Sequence, residues 1–235
     1  MRRFKFKHKE TVVTILLEEE RYYDVVVKAI LEARRAIERK IREDPLFQVT
    51  LEPYDCEGFI VGRMCRASKL ANVGPMASVA GVIAQYAVEK AVESGASFVV
   101  VDNGGDVAMH LDRPITVGVY TLKHSVCFEV DRKGFYAICT SSGTVGHSLS
   151  FGFADACTIF AKDACIADAF ATSLCNEIKE NFDREDIERV LREFWSRAKR
   201  YVLGAVIVKG DYVGFVGEVP KITKGVIKPD LITRG

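Results

Sequence analysis

Residues 154–176 read Ala-Asp-Ala-Cys-Thr-Ile-Phe-Ala-Lys-Asp-Ala-Cys-Ile-Ala-Asp-Ala-Phe-Ala-Thr-Ser-Leu-Cys-Asn. The apolar run Cys157 to Ala161 reads as a short strand, and Asp163 then stands at the N-cap of a helix, where a short carboxylate accepts from backbone N–H groups that have no partner inside the helix. Beyond it Ala164, Ile166, Ala167, Ala169, Phe170, Ala171 and Leu174 are small or apolar, the composition of a helix packed closely on its neighbours. Asp168 and Thr172 lie four residues apart on one face and present two hard oxygen ligands to one point, as a Mg²⁺ ion requires. Cys165 and Cys175 continue that stripe.

Working outward, the N-terminal side opens with two short strands, Arg3 to His8 and Thr11 to Leu17, followed by a helix from Tyr22 to Glu43 that stops before Pro45. Val25, Ile30, Ala33 and Ile37 form its core face; Arg34, Arg35, Glu38, Arg39 and Lys40 read as solvated. Extended segments are expected over residues 47–51 and 58–63. Gly74-Pro75 then opens a second helix running to Gly95, because proline's missing N–H has no intrahelical acceptor in a first turn. Residues 97–102 are a continuous apolar strand ended by Asn103-Gly104-Gly105-Asp106. Strands near 115–120, 126–130 and 135–139 follow, the last two joined as a hairpin through Asp131-Arg132-Lys133-Gly134.

On the C-terminal side Asp183 caps a helix over 184–199, a hairpin spans 205–216, and a polar tail occupies 219–235. Antiparallel strand runs between separated helices predict an α+β fold, a mixed but largely antiparallel sheet packed with helices, in one domain over residues 1–235.

Composition bounds the function. The chain has 235 residues, 49% hydrophobic and 28% charged, with net charge +1. No apolar run approaches the ~20 residues of a membrane span. Neither a nucleic-acid partner nor a membrane is indicated, and the absence of a secretory h-region points to the cytoplasm. Seven cysteines at irregular spacings, without a C-x-x-C pair, argue against a disulfide framework and for small buried hydrophobes.

Three further pieces can converge with Asp168. Asn72 to Gly81 places a glycine corner, with Gly74 and Ser78, at a helix start that favours an anion, or else supplies the small residues Ala77, Ser78, Ala80 and Gly81 for close helix packing. Asn103, Gly104, Gly105 and Asp106 let backbone approach a ligand, Asp106 being suited to a ribose hydroxyl, or form a tight turn needing positive φ. Thr140-Ser141-Ser142-Gly143-Thr144-Val145-Gly146-His147 is a hydroxyl-rich loop whose Ser141, Ser142 and Gly143 suit phosphate and whose His147 suits acid–base work.

In this order the motifs resemble the ApbE-type flavin transferase superfamily, in its short archaeal branch. The resemblance covers residues 73–176 and is carried by the small-residue helix after Gly74, the Asn103–Asp106 corner, the Thr140–Gly143 loop with His147 downstream, and Ala167-Asp168-Ala169-Phe170-Ala171-Thr172, close to the family's ADALAT. It implies a Mg²⁺-dependent enzyme that binds FAD and moves FMN onto a Ser or Thr of an acceptor protein. Asp168 and Thr172 are then metal ligands, the Ala80 carbonyl a third, and Asp168 and His147 the catalytic pair, His147 assisting proton transfer. Two positions depart from the pattern: Val79-Ala80-Gly81 stands where the family has Lys-Gly, and His147 is followed by Ser148-Leu149 rather than proline.

Two other readings compete. One is a persulfide relay or redox protein working through Cys165, Cys175, Cys56 or Cys65. The other is a non-catalytic, homo-oligomeric binding protein.

Overall fold

The structure is a computed structural model and describes residues 1–120, 125–143, 152–223 and 233. Strand β1 (Arg2–His8) turns at Lys9, whose φ of 52° is left-handed, into β2 (Thr11–Leu17). Helix α1 (Tyr23–Glu43) buries Val26, Ala29, Ile30, Ala33 and Ile37, whose three- and four-residue separations put one stripe inward. Its core face thus starts at Val26 and not at Val25.

Where extended chain was expected over 47–51 and 58–63, the structure has α2 (Leu46–Val49) and α3 (Phe59–Ala71). The reason is visible in the buried set Ile60, Val61, Met64, Cys65, Ser68 and Ala71, which repeats at helical period and outweighs the local β preference of Ile60-Val61. A disulfide joins Cys56 to Cys65, contrary to the expectation of unpaired thiols.

A 3₁₀ turn over Pro75–Ser78 leads into α4 (Val79–Glu93). Then come β3 (Val99–Asn103), β4 (Asp106–Leu111), β5 (Ile115–Tyr120), β6 (Ser125–Val130), β7 (Gly134–Ser141) and β8 (Ala156–Ala161). Helix α5 (Ala164–Asn176) is capped by the Asp163 carboxylate, which accepts from the Cys165 N–H at 2.8 Å. Helix α6 (Arg184–Ala198) begins with a reciprocal Asp183–Asp186 capping box. The chain continues with β9 (Gly204–Lys209), β10 (Tyr212–Gly217) and β11 (Lys221–Thr223), the last lying within the polar tail.

All strand pairs are antiparallel. The large sheet has the order β1-β2-β3-β4-β7-β8-β9-β10, and the small one β11-β6-β5. The expected β6–β7 hairpin therefore does not form. Residues 131–133 carry the chain from one sheet to the other, because β7 is buried on both faces and pairs with β4 and β8, while β6 pairs with β5 and β11.

The large sheet separates two cores. One holds Val101, Ala108, Ala137, Cys139, Ile159 and Ile207 under the helices. The other holds Met109, Ile138, Phe160 and Val206 under Phe128 and Val130 of the small sheet. The result is a helix layer, a central sheet and a small covering sheet, an α+β fold as expected.

Candidate functional site

Helix α5 carries Asp168 and Thr172 into the interior, each 8% exposed. What holds Asp168 is the crossing of α4 over α5. A Cβ added to Gly81 would lie 2.2 Å from the Ala164 carbonyl oxygen and 2.8 Å from the Asp168 Cβ, so only glycine permits this approach. The Gly81 N–H thereby donates to Asp168 Oδ2 at 2.8 Å. Asn103, last in β3, donates from Nδ2 to the Ala80 carbonyl at 3.2 Å. One peptide segment, Ala80-Gly81, thus joins α5 to the end of β3.

The Asn103–Asp106 corner is a two-residue hairpin turn with φ of 68° at Gly104 and 105° at Gly105. A Cβ on either glycine would meet nothing within 4 Å, so the corner opens onto free space. The Gly105 N–H donates to Asp102 Oδ1 at 2.9 Å and fixes the turn.

Asp106 follows on the same side of β4 as the buried Ala108, facing the helices. Its Oδ1 is sealed from solvent and has no hydrogen-bond partner. Burial pushes its carboxyl well above the usual range, the Asp168 charge adds to this, and the Cys139 thiol and the Thr140 backbone offset it only in part. Burial likewise raises Asp168, to about 7, against the N–H groups of Gly81 and Ala80. The charge of Asp168 on α5 is thus felt by Asp106 at the start of β4, 62 positions away in sequence.

Strand β7 delivers Ser141 to the same end of the sheet, through the β4–β7 register that sets Val107 opposite Ile138. Its hydroxyl is also buried without a partner. Among the described residues three buried side-chain atoms are orphaned, on Asp106, Ser141 and Arg34. A native fold rarely tolerates such atoms unless water, an ion or a ligand answers them.

Ser142 and Gly143 follow, and the Gly143 N–H donates to the Ala154 carbonyl at 3.1 Å. A Cβ on Gly143 would strike the Gly152 carbonyl oxygen at 1.6 Å, so Gly143 and Gly152 are pressed together. His147 belongs to that segment and lies outside the described residues.

Gly74 and Ser78 have internal partners. Gly74 packs against the Thr50 carbonyl, 2.0 Å from where a Cβ would be. The buried Ser78 hydroxyl donates to the Pro75 carbonyl at 3.0 Å.

A cavity of about 540 Å³ reaches Ala80 and Asn103, while Asp106, Asp168, Thr172 and Ser141 do not line it. Met76, Val79, Ala80, Ile83 and Asn103 form one wall, and α1 with the β1–β2 turn forms the other. Its size suits a nucleotide-sized ligand. Among the described residues no three His, Cys, Asp or Glu side chains cluster around one point as a metal site. A cation here would draw on the Asp106 and Asp168 carboxylates, the Thr172 hydroxyl and main-chain carbonyls. That all-oxygen set, with one oxygen unanswered, fits Mg²⁺ and not a thiophilic metal. The Ala80 carbonyl lies in the first turn of α4 and accepts from Asn103 as well.

The cysteines do not support a relay. Cys127, Cys139, Cys157, Cys165 and Cys175 are buried. Burial pushes the thiols of Cys139, Cys157 and Cys165 up, away from the thiolate such chemistry needs. Cys56 and Cys65 are bonded to each other.

Sequence reasoning named Asp168, Asp106 and Ser141 as candidates and expected the Asp106 corner to converge with Asp168, but with Asp106 toward a ribose hydroxyl or a turn, and it placed Arg34 in solvent. Only the strand register brings Asp106 under α5. For Arg34 the available signal was its position beside Ala33 and Ile37, at the edge of the buried stripe of α1.

The arrangement of a central antiparallel sheet, a helix layer and a small covering sheet is that of solved ApbE structures. The flavin transferase ApbE from Vibrio cholerae superposes over 92% of this chain and 96% of its own, with TM-score 0.59 at 13% identity. The flavinyl transferase ApbE of Pseudomonas stutzeri, in its apo form, does so over 92% and 94%, with TM-score 0.59 at 11% identity. The family model described as AbpE bacteria matches residues 1–203, and the chain belongs to that family. Among its relatives are the UPF0280 protein of Archaeoglobus fulgidus, 50% identical over the full length of both chains, and that of Methanothrix thermoacetophila, 43% identical over 98% of each.

Proposed function

We propose that the chain, acting as one ApbE-like unit over residues 1–235, binds a flavin nucleotide, FAD or FMN, together with Mg²⁺ and transfers FMN to a Ser or Thr hydroxyl of a partner protein. The observation that carries this is the orphaned, sealed oxygen of Asp106, whose carboxyl feels the charge of Asp168, near a cavity of about 540 Å³ that reaches Ala80 and Asn103. A dry pair of carboxylates is unfavourable unless a cation answers it.

In this reading Asp168, Thr172 and the Ala80 carbonyl hold the metal, and Asp106 joins them. A magnesium ion bound there supplies charge neutralisation to a pyrophosphate whose P–O bond breaks. The Gly81 N–H orients Asp168, and Asn103 fixes the peptide that carries Ala80. Ser141, Ser142 and Gly143 line the approach of the phosphates, the open Gly104-Gly105 corner admits the ring system, and His147 serves the proton transfer.

Fluorescence titration of FAD and FMN tests the binding. Saturation that requires Mg²⁺ and weakens at least about tenfold in Asp168→Ala is expected, since a hard cation loses a charged ligand. Transfer is read as AMP released in step with FMN bound covalently to the acceptor. Failure of both flavins to bind with any of Mg²⁺, Mn²⁺ or Ca²⁺ sinks the reading.

A further inference from the structure

The far wall of the cavity differs in character from the Ala80–Asn103 wall. It is built from the β1–β2 turn and α1 and carries Lys9, Glu10, Thr11, Arg34, Glu38 and Arg42. Arg34 is the centre of this group and only 11% exposed in its side chain. Its Nη1 donates to the Thr11 hydroxyl. Its Nη2 donates to Glu10 Oε2 at 2.8 Å and to Glu38 Oε1 at 3.2 Å. Its Nε is sealed from solvent and has no acceptor.

A guanidinium binds an oxyanion best through two parallel N–H groups, and Nε with Nη2 form one such fork. Here the fork is half used. The two carboxylates on Nη2 are unequal: Glu38 sits on α1 and is gripped from a second side by Lys9 at 2.8 Å, whereas Glu10 is 84% exposed on a turn. Glu10, whose own side chain is solvated and makes no second ion pair among the described residues, is therefore the member that leaves more readily.

We propose that Arg34 is a ligand-binding residue, and that the cavity takes a ligand bearing a phosphate group, which displaces Glu10 from Nη2 and fills the vacant Nε. The three cations Lys9, Arg34 and Arg42 exceed the two carboxylates Glu10 and Glu38 on this wall, so an incoming anion meets a favourable field even before Glu10 moves. The proposal deepens the flavin reading and rests on it only for the identity of the rest of the ligand.

Matched pairs test it, measured without divalent metal so that the carboxylate centre cannot hold the phosphate: FMN against riboflavin by fluorescence, and AMP against adenosine by calorimetry. The phosphorylated member of at least one pair is expected to bind ten- to a hundredfold more tightly, the range of a charged hydrogen-bond pair. Arg34→Gln removes that preference. Glu10→Gln, on an exposed turn and harmless to folding, tightens the phosphorylated member several-fold and leaves the unphosphorylated one unchanged, which keeps the test alive even where Arg34→Gln fails to fold.

A preference that survives in Arg34→Gln, no tightening in Glu10→Gln, or no preference in either pair overturns the assignment. AMP binding that depends on Arg34 without any flavin binding upholds it and sinks the flavin reading. Flavin binding indifferent to Arg34 does the reverse.

Discussion

Asp168 shows how much of a site one residue's surroundings decide. Its carboxyl is raised to about 7 first by burial, with the Gly81 and Ala80 N–H groups pulling the other way. In the unfolded chain it titrates near 4. Between those values the folded protein holds a proton that the unfolded chain has released, so stability falls as pH rises from about 4 to about 7 and levels off above. The loss is at most about 4 kcal/mol from this group. Asp168→Asn, unable to ionise, is expected to flatten that part of the curve and to melt higher than the parent at pH 8 in EDTA. Thermal melts across pH 4–8 check this, and a variant curve that tracks the parent's removes the account. The glycines offer a second contrast at this scale. Gly81→Ala drives a methyl into the Ala164 carbonyl and should cost about 2–3 kcal/mol by overpacking. Gly104→Ala meets open space and pays only for its φ of 68°, about 1–2 kcal/mol. Urea midpoints distinguish the two, and a Gly104 variant hit as hard as the Gly81 variant contradicts the packing argument. The sequence made Asp168 and Thr172 legible because a helix repeats locally, but the partnership with Asp106 depends on register, which no local spacing encodes.

Among the elements, α3 exposes a limit of reading short windows. Its first residues, Phe59-Ile60-Val61-Gly62, favour extended chain locally. The helical repeat emerges only when Met64, Cys65, Ser68 and Ala71 are counted with Ile60 and Val61. With α3 read as extended chain, Cys65 had no defined direction and the disulfide could not be foreseen. Its consequence is local bracing. The bridge ties residue 56 to α3, in a connection where Thr50 is pressed against Gly74 ahead of α4 and Asp55 pairs with Lys69. Closing so short a loop restricts the unfolded chain by on the order of 2–3 kcal/mol. Reduction with a dithiol should therefore lower the urea midpoint of the parent and leave that of Cys56→Ala/Cys65→Ala unchanged. Equal sensitivity in both proteins would show that the bridge carries none of this stability. Strand β4 was hidden for a related reason: the Gly104-Gly105 turn reads as an end of structure, whereas it reverses the chain so that Val107 and Met109 lie over the second core.

For the whole molecule, alternating strands between helices made the α+β class readable, yet the two-sided use of the large sheet was not. Val126–Val130 and Phe135–Cys139 look alike in sequence, and only the need to cover Ile138 and Phe160 from outside assigns the first to a separate sheet. That division predicts how the layers share stability. On the helix side Arg63 of α3 reaches Glu89 of α4 at 2.7 Å and Asp163 before α5 at 3.0 Å, locking three helices. Arg63→Met leaves two partly buried carboxylates unpaired and should cost about 3 kcal/mol. On the opposite face Phe128 is fully buried, its ring 5.0 Å from that of Phe160, and Phe128→Ala should cost about 3–5 kcal/mol through the cavity left behind. The two residues share no partner: Arg63 pairs with Glu89 and Asp163 in the helix layer, and Phe128 belongs to the core under the small sheet. Their effects on urea unfolding should therefore add to within about 0.5 kcal/mol in the double variant. A coupling above about 1 kcal/mol would mean that the central sheet transmits strain between its faces, so that the helix layer holding Asp168 and the covering sheet respond to each other as one unit.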